Sequence, residues 1–146
     1  MRTTLASILL AASIPVFAQL GVVDPWVRAT VPGQGATGAF MQLRSKQDVR
    51  VVAARSAVAG VVELHEMKME GGVMKMKPIK ELAVPGGAAV DLKPGGYHVM
   101  LMDLKKQVKE GDEIPITLVV EAADGKRTEV AVTARARPVA ADGHAH

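Results

Sequence analysis

Four residues carry the chemistry this chain advertises: His65, Met76, His98 and Met100, in the spacing H-x10-M-x21-H-x-M. Two imidazoles and two thioethers are soft or borderline ligands, in a protein that contains no cysteine. Thioether sulfur binds hard ions poorly and Cu(I) well, so the set points to copper in its reduced state. All four donors are neutral, so a filled site would keep the single positive charge of the ion. Mg and Ca, which want oxygen ligands, are disfavoured. The lack of cysteine removes blue-copper electron transfer, Cys-rich structural zinc and thiol redox chemistry.

The same lack leaves no disulfide framework, so a hydrophobic core must hold the fold. Leu5 to Phe17 is apolar, Arg2 precedes it, and Val16-Phe17-Ala18 offers a cleavage site, which together predict a secretory signal over residues 1–18. The stretch is too short for a membrane span, which needs ~20 apolar residues. Residues 19–135 are expected to form one copper-binding β domain and residues 136–146 a flexible tail containing His144 and His146. Removing Arg2 from the 18 basic residues leaves 17 against 15 acids, a formal charge of +2 spread along the chain. That excludes an argument for nucleic-acid binding. A monomer is expected.

Turn signals recur every ten or so residues: Pro32-Gly33, Gly71-Gly72, Pro85-Gly86-Gly87, Pro94-Gly95-Gly96, Gly111-Asp112 and Asp124-Gly125. The runs between them predict strands at 22–28, 38–43, 49–54, 61–69, 73–79, 88–92, 97–102, 114–121 and 128–134. So many short strands imply an all-β sandwich or barrel. No segment shows a helical stripe of useful length.

Alternation places His65, Met67 and Met69 on one face of a strand, with Glu66, Lys68 and Glu70 on the other. A two-residue turn at Gly71-Gly72 would set Met69 against Met74 and Met67 against Met76. His65 then lies diagonal to Met76, ~7–8 Å away along the backbone. His98 and Met100, two apart, project from one side of a second strand. Met102 reads as a core residue; Met67, Met69 and Met74 divide evenly between gap-filling and an exposed rim that captures or passes on copper. Six of the seven methionines after the signal fall in these two segments, and only Met41 lies outside. This clustering is what favours a metal over a core explanation.

The chain resembles the periplasmic PCu(A)C-type copper chaperones. The likeness rests on the four-ligand spacing and on Trp26-Val27-Arg28, Gly38-Ala39-Phe40-Met41, Glu63-Leu64-His65-Glu66-Met67, Leu92 through Leu101, and Lys109-Glu110-Gly111-Asp112. The resemblance implies a cupredoxin-like Greek-key β-sandwich or barrel and one Cu(I) per chain at His65, Met76, His98 and Met100. It further implies delivery to the binuclear copper site of cytochrome c oxidase subunit II, often beside a Sco-type protein. Trp26 and Arg28 carry over as fold-associated positions. Some members bear His/Met-rich extensions, which would make His144 and His146 a weak Cu(II) site. Copper sequestration and a non-metal structural sandwich are the competing readings. Catalysis is not expected, since no nucleophile–base arrangement is visible.

Overall fold

The computed structural model describes residues 20–138, which contain ten strands and no helix. The predicted signal at residues 1–18, and His144 and His146, lie outside the described residues. The strands are β1 (Gly21–Arg28), β2 (Ala36–Arg44), β3 (Val49–Arg55), β4 (Ala59–Glu70), β5 (Val73–Ile79), β6 (Leu82–Val84), β7 (Ala89–Leu92), β8 (His98–Leu104), β9 (Glu113–Ala122) and β10 (Arg127–Arg137). Nine of them cover the predicted runs. The tenth, β6, has only three residues and no alternation to announce it. β10 continues two residues past the expected domain edge at 135, with Ala136 buried and paired to Val27.

Hydrogen bonding runs in the order β5-β4-β8-β2-β1-β10-β9-β3-β6, with β7 paired to β2 off this path. All pairings are antiparallel except β1 with β10, which run parallel. The arrangement is an open, all-β, cupredoxin-like fold. Alternation along the central strands makes the core: Val27, Ala39, Leu43, Val99 and Leu101 are almost wholly buried, as are Ile114, Ile116 and Leu118 of β9. On β8 this leaves His98, Met100 and Met102 on the face turned away from Val99 and Leu101.

Two local devices aim the strands. In β1 the register slips between Val23 and Trp26, where Asp24 adopts φ 48° ahead of Pro25. Such a bulge changes which side chains face which way, here setting Trp26 opposite Phe40. The β4–β5 hairpin turns on Gly71 and Gly72, with φ of 57° and 79°. Two consecutive positive φ values are what a two-residue turn matching strand twist requires, and glycine adopts them without a Cβ clash.

Candidate metal centre

The hairpin turn fixes the register of β4 on β5: Met67 faces Met76, Met69 faces Met74, and His65 faces Pro78, which leaves Met76 diagonal to His65. β8 pairs with the other edge of β4, and this long-range pairing sets His65 directly opposite His98 and Glu63 directly opposite Met100. The two imidazole rings lie 5.6 Å apart between centroids, at 61°. Met67, Met76, His98 and Met100 line one open cleft of about 290 Å³, walled also by Phe40 and Pro94. The four residues singled out by spacing thus sit on three adjacent strands, on one face of the sheet.

Pro94-Gly95-Gly96 forms the turn into β8. Gly96 donates its amide hydrogen to the Lys93 carbonyl at 2.9 Å, and Gly95 has φ 85°, as the third residue of such a turn demands. The Gly96 carbonyl accepts from the Met67 amide at 3.2 Å and lies 3.2 Å from Nδ1 of His98. A carbonyl can only accept, so Nδ1 carries the ring proton and the neutral ring presents its lone pair at Nε2. On His65 the roles are exchanged: Nε2 donates to the Glu63 carboxylate at 2.8 Å, and Nδ1 keeps the lone pair. A hydrogen bond of this kind on one ring nitrogen fixes the tautomer and orients the other nitrogen toward a metal.

The two remaining nitrogens, Nδ1 of His65 and Nε2 of His98, are buried and have no hydrogen-bond partner. An unsatisfied buried polar atom costs ~1–3 kcal/mol, so two of them on opposed rings demand an explanation. Ligation of a metal ion would satisfy both. Among the described residues no cluster of three or more His, Cys, Asp or Glu is placed to hold a metal. The cleft beside the rings is lined instead by the thioethers of Met67, Met76 and Met100, which suit a soft ion better than a zinc or calcium cage.

A row of tilted rings runs up to the histidines from the far side. Trp26, Phe40, His98 and His65 follow one another across β1, β2, β8 and β4, with centroid separations of 4.6, 6.2 and 5.6 Å. The Arg28 guanidinium stands 5.6 Å over Phe40, and that of Arg137 stands 5.3 Å over Trp26, where it also pairs with Asp24. Gly38, opposite Met100, leaves room for this row, because a Cβ there would come within 2.9 Å of the Phe40 ring. Burial holds His98 below the ordinary histidine pKa, the nearby charges of His65 and Arg28 push the same way, and the Gly96 carbonyl opposes them.

Spacing did not single out Glu63 or Phe40. The two-residue period that joins His65 to Met67 also reaches back to Glu63, so the signal was present. Phe40 became visible only through the β2–β8 pairing. Met102 is half-buried and lies beyond the cleft, while Met69 and Met74 are exposed.

Comparison with known proteins gives a consistent picture. A family model described as "LpqE-like: Putative lipoprotein LpqE-like" matches residues 20–134. The "Putative lipoprotein Lxx21020" of Leifsonia xyli subsp. xyli is 35% identical, covering 89% of this chain and 86% of its own length. The apo PCuAC domain from PmoF1 superposes with a TM-score of 0.66 at 25% identity, covering 82% of this chain and 93% of that one. A Cu(I) form of DR1885 from Deinococcus radiodurans is 33% identical, with a TM-score of 0.56, covering 88% of this chain and 80% of its own.

Proposed function

The chain belongs to the LpqE-like family of PCuAC-type copper chaperones, and we propose that it carries one Cu(I) in the cell envelope, held by His65, Met76, His98 and Met100. The observation that carries this reading is the pair of orphaned, buried ring nitrogens on opposed histidines, beside a cleft lined by two of the thioethers. The Cu(I) form of the Deinococcus protein supports the choice of ion. Each histidine arrives with its tautomer set, so binding need not reorganise the rings. Glu63 places a carboxylate behind His65, which raises the basicity of the ligand and offsets the ion's charge.

The acceptor we propose is the binuclear copper site of cytochrome c oxidase subunit II, with a Sco-type protein as companion. A neutral, thiolate-free donor set favours release to a thiolate-rich acceptor, because thiolate binds Cu(I) more strongly than thioether. Met76, 47% exposed, sits where an incoming ligand could displace it first. The decisive experiment mixes Cu(I)-loaded protein with a reduced apo oxidase copper domain, separates the two proteins and measures the copper on each. One Cu(I) leaving each carrier chain supports delivery. Retention against the acceptor, with several ions bound at similar affinity, supports sequestration instead.

The lowered His98 pKa sets the pH range. Neutral imidazole binds metal and imidazolium does not, so proton competition at this ring sets in at lower pH than at an ordinary histidine. Cu(I) affinity should therefore fall on acidification as imidazole is lost to protons, with His98 holding its lone pair further into acid than an ordinary histidine would. The apo fold follows the same sign. Its His98 contribution is complete above the unfolded pKa and is lost as pH falls toward the folded one, because the unfolded chain takes up the proton first. A competition titration against a Cu(I) chelator across this range checks it. A drop in affinity that begins well above 6.5 would contradict it.

A further inference from the structure

The β4–β5 hairpin extends past the cleft and carries thioethers that the inner site does not use. Met69 and Met74 are directly opposed near the Gly71-Gly72 turn, 60% and 44% exposed. Met67 lies one step inward on the same face, opposite Met76 and lining the cleft. The other face of the hairpin is charged: Glu66, Lys68, Glu70, Lys75 and Lys77, with Lys77 and Lys75 both paired to Glu70. One ribbon therefore separates a salt-bridged face from an uncharged sulfur face.

Packing does not account for the sulfur face. Methionine fills irregular gaps in cores, yet Met69 and Met74 are both exposed and neither packs against the core cluster. Side chains directly opposed across a hairpin have Cβ atoms ~4.5–5.5 Å apart, close enough for two flexible thioethers to grip one ion between them. Met67 is diagonal to Met74 and could supply a third sulfur.

We propose that Met69 and Met74, with Met67, form an outer site for a soft monovalent cation, a port through which Cu(I) reaches the inner ligands. This rests on the inner-site reading for its destination only. Transfer inward breaks the sulfur–metal bonds to Met69 and Met74 while Met67 stays bound, and the Met67 bond then breaks as the bond to Met76 forms. The oxidation state does not change and no proton is released, since thioethers carry none. The outer site binds more weakly than the inner one, lacking imidazole and being exposed.

The test uses the protein labelled with carbon-13 at the methionine methyls and titrated with Ag(I), a redox-inert soft monovalent probe. The first equivalent should move the Met76 and Met100 methyls. Further Ag(I) should move those of Met69 and Met74, while buried Met41 stays still. In the Met69→Leu/Met74→Leu variant, which keeps the apolar surface and removes the sulfur, Ag(I) beyond the first equivalent should no longer be bound and should leave the Met67 methyl unmoved. Cu(I) loading from a chelated donor should slow, with inner-site affinity unchanged. Met69 and Met74 methyls that ignore excess Ag(I), or a leucine variant that loads at the parent rate, would overturn the port. If Met69 and Met74 respond while Met76 and Met100 never do, the outer site stands and the carrier assignment falls.

Discussion

His98→Ala should lower Cu(I) affinity by more than the ~10–100-fold that loss of an outer-shell partner typically costs, because it removes a direct donor. His98 is the hinge of the centre. Its ring faces His65, its Nδ1 is tied to the turn that also holds β4, and its Nε2 is buried without a partner. The alanine variant should nonetheless fold, since the imidazole lies on the face of β8 opposite the core and its removal relieves an unsatisfied atom. A chelator competition assay reads the affinity, and circular dichroism confirms the fold. Parent-like binding by a folded His98→Ala protein would remove this residue from the ligand set.

Leu101→Ala should do the reverse. Leu101 is fully buried, three residues along the same strand but on its other face. Truncating such a side chain in a core without disulfides costs ~2–5 kcal/mol, from lost transfer energy and the cavity left behind. For a protein whose total stability is ~5–15 kcal/mol, that is a large fraction. Denaturant unfolding of the apo protein measures it, and protein that remains folded should still bind Cu(I) through its intact ligands. A shift below about 1 kcal/mol would mean the site collapses around the smaller residue more completely than close packing allows. The two variants test the two faces of β8 separately.

What the sequence made legible was local. Glycine pairs mark turns because few other residues adopt the required φ, so the Gly71-Gly72 turn and with it the Met67–Met76 and Met69–Met74 register could be read from the residues alone. Alternation grouped His65 with Met67 on β4 and His98 with Met100 on β8, because successive side chains of a strand point to opposite faces, while Met102, read as core, shares the His98 face and is half-buried. The pairing of β4 with β8 was not legible, because nothing in either strand names a partner some thirty residues away. The direct opposition of His65 and His98 depends wholly on it. The row of rings from Trp26 to His65 needs four strands in spatial order, and β1 reaches its place only after the slip at Asp24-Pro25. The short β6 left no signal, since three residues ahead of Pro85 are too few to show a period.

The parallel ladder between β1 and β10 has a kinetic consequence. It joins the first described strand to the last, Trp26 to Arg135, so one side of β1 stays open until nearly the entire chain is available. Sheets built on such distant pairings close slowly, in roughly milliseconds to seconds, because the loop entropy is spent before the contacts repay it. A polypeptide emerging N-terminus first would therefore hold its sulfur and imidazole donors in an unfinished framework, and become a competent carrier only once its closing strand has arrived.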